Sequence, residues 1–387
     1  RRGLRKAVAI ITRKAEIRKA GNILNSRGSA AAGHCGEFSA EFIRNCLEKN
    51  GGHLTNRCGD WLSFEKNDET TKKLLADAFW IADTRMMAEM AAALGKKPVS
   101  ERYRRQARKL LERWQKLYLN GDGLLREDLR TQTTLAFALK YSLIEKDVRA
   151  SHLQLLADNI RSHGELLQTG FLGTAVLLDV LSDNGAHDLA VTLLLQRKNP
   201  SWLYSVDQGA TTIWERWDSY TKEKGFGPAG MNSFNHYAYG AGLGWMYSSL
   251  AGIRESENAM GMKRFVLRPR PDRRLGFVKA RYRSRAGVIE SSWRYEKDGS
   301  LVWNYTVPEG AEAEVYLPGA ASALIRKAGR YVEKLFENSN NYIAGFCIVF
   351  GADYKRDKYK FSKAYKKKKE EVKHHEERKR VIVLFVN

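Results

Sequence analysis

Residues 199–244 hold the chemistry-bearing side chains of this sequence in their densest form. Nine aromatic residues, Trp202, Tyr204, Trp214, Trp217, Tyr220, Phe226, Phe234, Tyr237 and Tyr239, fall in a stretch otherwise rich in glycine and polar groups. One carboxylate, Glu215, lies between Trp214 and the run Arg216-Trp217-Asp218, and His236 follows in Asn232-Ser233-Phe234-Asn235-His236-Tyr237. An irregular segment of this kind is expensive to bury, because its backbone polar groups must find partners outside regular structure. Flat aromatic faces beside fixed polar groups suit a ring-shaped ligand with an apolar C–H face and a rim of hydroxyls. That is the composition of a sugar site. Glycoside hydrolysis by the common route uses two carboxyl groups, and Glu215 is the candidate for one of them. Taken alone, a Trp-Glu-Arg sequence reads more readily as a surface ion pair between Glu215 and Arg216 or a nearby lysine.

The elements that must position this segment are helical. From Thr70 the residues Leu74, Leu75, Ala78, Ile81, Ala82, Met86, Ala88 and Ala92 form a broad apolar stripe, closed by Gly95 and Pro98. A second helix is predicted from Ser100 to near Asn120-Gly121, a third over 131–143 and a fourth over 148–163. A pair follows over 172–181 and 187–195, and 237–253 predicts one more. A short amphipathic helix is also predicted over 38–47. Helices joined by short Gly-marked turns suggest antiparallel hairpins, with longer loops at 53–69, 164–172 and 199–236 gathered at one mouth. Beyond Gly261 the period changes to that of strands: 265–267, 276–282, 287–295, 301–307 and 312–317, with Asp298-Gly299 as a hairpin turn.

Several motifs, in order, are similar to those of the bacterial α-L-rhamnosidases of glycoside hydrolase family 78. They are Gly59-Asp60-Trp61-Leu62-Ser63-Phe64, Thr169-Gly170-Phe171-Leu172-Gly173-Thr174, Trp202-Leu203-Tyr204-Ser205, the run from Gly209 to Trp217, and the run from Met231 to Gly240. The resemblance covers roughly residues 54–318. It implies a mainly α fold, an (α/α)6 toroid of helical hairpins followed by a small antiparallel β-sandwich. Fewer candidate helices are present than six hairpins require, so the ring is expected to be incomplete on its N-terminal side. The implied division is a basic N-terminal segment (1–53), the catalytic toroid (54–253), the β-sandwich (254–319) and a Lys-rich extension (320–387). The first and last carry no assigned role.

The resemblance further implies hydrolysis of terminal α-L-rhamnose with inversion, Glu215 acting as general base and Trp214 and Trp217 walling its site. His236 is then a sugar-hydroxyl contact, with Asn235 as its companion; the alternatives are a structural histidine and a helix cap. Asp60 either binds hydroxyls above a stacked Trp61, or caps its loop while Trp61 packs inward. Phe171 either lines the pocket near the sugar's methyl group or merely follows a glycine that permits tight helix entry. Trp202 is either a platform or core. The general acid of the family lies in an Arg-x-Glu-Arg-x-Gly-Trp-x-Gly-Asp type of segment, and residues 1–58 contain none. Glu37, Glu41 and Glu48 lack the flanking residues, and an enzyme without its acid loses roughly two to four orders of magnitude in rate. The competing expectation is a carbohydrate-binding remnant with the same pocket and no acid.

Composition narrows the remaining classes. No run of about 20 apolar residues exists, so no membrane-spanning helix is expected. The first residues loosely resemble a signal peptide, but Arg13-Lys14 interrupts the apolar run, and a cytoplasmic location is the expectation. The chain begins at Arg1 without an initiator methionine. Cys35, Cys46, Cys58 and Cys347, with His34 and His53, match no common metal spacing, so neither metal nor cofactor is expected. The formal charge of +22 is concentrated at 1–27 and 352–380, away from the motifs, and no nucleic-acid motif accompanies it. The expected partner is a rhamnosylated glycoside or polysaccharide, with no specific nucleic acid and no membrane; the oligomeric state is left open.

Overall fold

The computed structural model describes residues 58–256, 261–338, 341–350 and 383–384. The expected helix at 38–47, the basic segment 1–53, the His34/Cys35/Cys46/His53 group and the Lys-rich run 352–380 lie outside the described residues. The chain divides into two compact units, the first ending at Leu243 and the second beginning at Gly244.

The first unit is a set of helical hairpins. Helix α1 (Glu69–Ala93) and α2 (Lys97–Tyr118) run antiparallel. Ser100 Oγ donates to Ala88 O at one end, and Trp114 Nε1 to Leu74 O and Tyr118 Oη to Asp77 at the other. Pro98, expected to separate the two helices, lies in the first turn of α2. Its missing N–H would have had no intrahelical partner there, and its fixed φ suits the position. The next hairpin is α3 (Gln132–Lys140) with α4 (Arg149–Ser162), and the third is α5 (Phe171–Asp183) with α6 (His187–Leu195). Helix α3 packs on both α1 and α5. Its residues from Gln132 to Leu139 are all buried, whereas α2 buries only Ser100, Ala107, Trp114 and Tyr118. Thus α1, α3 and α5 form an inner row and α2 belongs to an outer one. Because an antiparallel partner intervenes each time, the inner helices start at the same end.

The aromatic segment is more ordered than its sequence suggests. Ser201 caps a short helix, α7 (Trp202–Asp207), by accepting the Tyr204 N–H at 3.1 Å. A minimal hairpin follows, β1 (Tyr220–Thr221) with β2 (Gly225–Phe226). The single helix expected over 237–253 is replaced by a 3-10 turn (Ala238–Ala241), a four-residue α8 (Gly242–Trp245), a π turn (Met246–Leu250) and a strand. Gly240, Gly242 and Gly244 weaken a continuous helix. Gly242 has a second reason to be glycine: an added Cβ would lie 2.9 Å from the Trp202 ring.

The second unit is two sheets. One has the order β11-β10-β7-β6-β5-β12 and the other β3-β4-β8-β9. They comprise β3 (Ile253–Glu255), β4 (Arg264–Leu267), β5 (Phe277–Ser284), β6 (Gly287–Tyr295), β7 (Leu301–Val307), β8 (Glu312–Val315), β9 (Leu324–Arg326), β10 (Gly329–Asn338), β11 (Asn341–Phe350) and β12 (Val383–Leu384). Most neighbours are antiparallel, as expected, but β4 pairs with β8, and β12 with β5, in parallel. The sheets also extend past residue 319 through β9, β10 and β11. Trp293 and Trp303 fill the interior, and Arg326 of β9 reaches across to Glu333 of β10 at 3.1 Å. Among the described residues no helix is long and apolar enough to cross a membrane.

One carboxylate of the helical unit is poorly served by its surroundings. Burial pushes Asp83, on α1, from its ordinary value of 3.8 up to about 6. A folded-state value above the unfolded one means that the native state binds the proton more tightly. Stability from this group is therefore full below about pH 4 and lost as pH rises through about 6. Asp83→Asn should raise the melting temperature at pH 8, and this advantage over the wild type should shrink steadily as pH is lowered toward 4. A difference independent of pH would show that burial of the charge is not its origin.

Candidate active site

A short loop, residues 58–68, organises the starting ends of the inner helices. Helix starts leave backbone N–H groups without partners, and carboxylates are their best acceptors. Asp68 caps α1 by accepting from Thr71 N–H at 2.9 Å. Glu65 accepts from Gln132 N–H, the first residue of α3, at 2.7 Å, and from Asn159 Nδ2 of α4 at 2.7 Å. Asp60 serves α5. Its Oδ2 accepts from Gly170 N–H at 2.8 Å and from the Thr133 hydroxyl, and its Oδ1 accepts from Leu172 and Gly173 N–H at 2.7 and 3.1 Å. Burial raises the Asp60 carboxyl above the ordinary range, and these donors pull it back.

This placement favours the capping reading of Asp60. It is 2% exposed with both oxygens occupied, so it acts as a long-range helix cap and has no oxygen open to a ligand. The two glycines are part of the same device. A Cβ on Gly170 would meet Trp61 O at 2.1 Å, and one on Gly173 would meet the Thr133 hydroxyl at 2.1 Å. Trp61 does not pack inward: it is 41% exposed, and its carbonyl accepts from Phe171 N–H at 3.0 Å. The loop thereby holds Trp61 at the start of α5, beside Phe171.

From Phe171 a chain of ring contacts runs through the aromatic segment. Phe171 lies 4.7 Å from His236 and 5.1 Å from Tyr239 between ring centroids. Tyr239 stacks on Trp217 at 3.9 Å, and Trp217 meets the edge of Trp202 at 5.3 Å. Trp202 donates its Nε1–H to Tyr239 O at 2.8 Å. Trp217 and Tyr239 are buried, so Trp217 serves as core beneath the site more than as an open platform. Tyr239, at the centre of this chain, is not singled out by the sequence motifs. Its local pattern marks it as one tyrosine among several, and only the tertiary stack reveals its part.

Glu215 sits where the irregular segments 213–215 and 233–236 are joined by backbone bonds. Its N–H donates to Ser233 O at 2.8 Å, Ser233 N–H donates to Glu215 Oε2 at 3.0 Å, and His236 N–H donates to Ile213 O at 2.8 Å. The carboxylate is half-buried. The surface ion-pair reading is not realised: Arg216 pairs instead with Asp218 at 3.3 Å, and Glu215 makes no ion pair among the described residues. Ser233, another residue the motifs do not single out, thus orients the carboxylate through its backbone. His236 accepts from Ala238 N–H through Nδ1 at 3.3 Å. That places the proton of a neutral ring on Nε2 as a donor. Asn235 is exposed, and its backbone N–H donates to Ser233 Oγ at 3.2 Å. Trp214 is buried against Phe234 at 5.3 Å.

The helical unit and this constellation correspond to a known family. The family model of the bacterial α-L-rhamnosidase six-hairpin glycosidase domain matches residues 39–250, and that of the bacterial α-L-rhamnosidase C-terminal domain matches residues 252–331. The chain belongs to the bacterial α-L-rhamnosidase family. An α-L-rhamnosidase of Streptomyces avermitilis is 38% identical over 277 residues, which are 70% of this chain and 26% of that protein. One of Formosa agariphila is 35% identical over 268 residues, 68% of this chain and 28% of the relative. Among solved structures, the Streptomyces avermitilis α-L-rhamnosidase complexed with L-rhamnose matches with a TM-score of 0.67 and 33% identity, covering 74% of this chain and 29% of that one. The chain therefore spans about a quarter of the length of the curated α-L-rhamnosidases it matches.

In this α-L-rhamnosidase-family chain the role of Asp60 is open to a direct check. Asp60→Ala strips one acceptor from three backbone N–H groups and a buried hydroxyl, and should destabilise the fold by about 3 kcal/mol in chemical denaturation. Wild-type stability combined with lost sugar affinity would reinstate Asp60 as a ligand contact.

Proposed function

We propose that this chain carries the sugar-binding and general-base part of an inverting α-L-rhamnosidase, acting on terminal α-L-rhamnose of a glycoside or polysaccharide. The observation that carries the reading is the environment of Glu215. It is a half-buried carboxylate anchored through Oε2 by a backbone N–H, flanked by two buried tryptophans, while the adjacent Arg216 is engaged by Asp218. Family membership supports the reaction class, and the L-rhamnose complexed with the related Streptomyces avermitilis enzyme supports the sugar.

In this reading Glu215 takes a proton from the water that attacks the anomeric carbon, on the face opposite the leaving oxygen. The Ser233 N–H fixes the carboxylate's orientation, so the reacting oxygen is held before substrate arrives. The Nε2–H of His236 supplies a donor for a sugar hydroxyl. The exposed faces of Trp61 and Tyr237 and the half-buried Phe171 supply apolar area for the C–H face and methyl group of the deoxysugar. The acid that protonates the leaving oxygen is assigned to none of the described residues.

Hydrolysis of a chromogenic α-L-rhamnoside tests this, beside Glu215→Gln and an α-glucoside control. Turnover of the rhamnoside alone, reduced about 10³-fold in Glu215→Gln, is the expected outcome. L-Rhamnose binding without turnover would leave the pocket and remove the catalysis. Neither binding nor turnover from a folded sample would end the rhamnose assignment.

A further inference from the structure

Helix α2 carries more positive charge than its packing uses. Eight of its 22 residues are lysine or arginine and two are glutamate. Its buried residues, Ser100, Ala107, Trp114 and Tyr118, are spaced to share one side of the helix. The opposite side holds Arg102, Arg105, Lys109 and Lys116, all of them exposed. Intervals of three, four and seven residues keep these four in a single stripe, about 21 Å from end to end at the rise of an α-helix.

None of the four makes an ion pair among the described residues. Glu101 is engaged by Arg104 at 3.7 Å and by Arg108 at 3.8 Å, and Arg102 lies over the ring of its neighbour Tyr103 at 5.2 Å. Glu112 stands at the edge of the stripe. Like charges three or four residues apart on a helix repel and weaken it. The stripe therefore does nothing for the stability of α2, and a polyanion laid along it would relieve the repulsion.

The stripe has a direction within the helical unit. Trp114 and Tyr118 reach Leu74 and Asp77 near the start of α1, whereas Ser100 reaches Ala88 near its finish. The Lys116 end thus lies toward the end of the unit at which the inner helices begin, where the 58–68 loop holds Trp61. A chain seated on the stripe runs along the outer wall toward the end that carries the candidate site.

The chemistry of the stripe selects among polyanions. Single-stranded nucleic acids are held by aromatic rings on which bases stack, and a membrane surface is held by apolar side chains that enter it. Between Arg102 and Lys116 no aromatic or aliphatic side chain shares the stripe. Guanidinium groups match the two oxygens of a carboxylate, which a uronate-containing chain presents repeatedly along its length.

We propose that the outer face of α2 is a docking surface for an acidic polysaccharide, held through its carboxylates at a place separate from the sugar pocket. The choice of a polysaccharide rests on the rhamnosidase reading above, and the choice of a linear polyanion on the stripe alone.

The test uses alginate, a uronate polymer without rhamnose, titrated calorimetrically into the full chain at low salt, with dextran as the neutral control. The wild type is compared with two variants that lose equal charge. One combines Arg102→Gln, Arg105→Gln, Lys109→Gln and Lys116→Gln; the other replaces Lys366, Lys367, Lys368 and Lys369 with glutamine. Glutamine is close to lysine and arginine in helix propensity, so α2 is retained, and circular dichroism verifies it. Alginate should bind the wild type, and the α2 variant about tenfold more weakly. The 366–369 variant should bind alginate like the wild type, dextran should bind none of them, and L-rhamnose affinity should be the same in all three. Alginate binding that depends on α2, without L-rhamnose binding, would uphold the docking surface and remove the rhamnose reading. Three results would overturn the proposal: unchanged alginate binding in the α2 variant, an equal loss in both variants, or tighter α2-dependent binding of duplex DNA or phosphatidylserine vesicles than of alginate.

Discussion

The helical unit depends on the neutralisation of helix starts by carboxylates that come from outside those helices. An α-helix begins with backbone N–H groups that its own carbonyls do not reach, and burying such an end without acceptors is costly. The inner helices α1, α3 and α5 all begin at one end of the unit. The loop at 58–68 presents Asp68 to the first, Glu65 to the second and Asp60 to the third. Backbone bonds fasten the loop further, from Phe64 N–H to Gln168 O and from Phe171 N–H to Trp61 O. Gln132 continues the stitching by donating to Leu166 O and accepting from Gln168 N–H. Three helix ends and two loops are therefore fixed by one short segment.

The candidate site inherits its geometry from that arrangement. Fixing the start of α5 fixes Phe171, whose ring touches His236 and Tyr239. Tyr239 in turn stacks on Trp217, two residues beyond Glu215. The catalytic candidate is thus tied to the loop through successive ring contacts, while its own carboxylate is oriented by a main-chain donor. A main-chain donor has no rotamers to lose, so the orientation comes with less ordering entropy than a side-chain partner would require. The tight contacts at Gly170, Gly173 and Gly242 serve the same end, since each lets an aromatic or carboxylate-bearing segment approach more closely than a Cβ would allow.

What is legible in the sequence follows the range of the forces involved. Periodicity reports which face of an element is buried, so the helix at 187–195 and the strands at 287–295 and 301–307 lie at or near the limits it predicts. Glu215 is legible because its distinctive neighbours are adjacent in sequence. The run at 237–253 misleads for a local reason: apolar spacing alone does not register that Gly240, Gly242 and Gly244 interrupt it, Gly242 lying against Trp202. Asp60 is ambiguous for a long-range reason, because its partners at Gly170, Leu172 and Gly173 lie more than a hundred residues away and a side chain's acceptors leave no local pattern. The parts played by Tyr239 and Ser233 stay hidden on the same grounds, since a stack and a main-chain bond depend on which segments meet.

The separation of 110 residues between Asp60 and Gly170 also bears on how motion is distributed in the unit. Amide hydrogens in the first turn of a helix are ordinarily among the quickest to exchange with solvent, because nothing closes over them. In α5 they are bound to a buried carboxylate whose release requires the loop at 58–68 to leave as well. Local fraying is replaced there by a larger, cooperative opening, in which the capping loop and the start of α5 part together. The start of α5, which carries Phe171, then belongs to the slowly opening part of the protein.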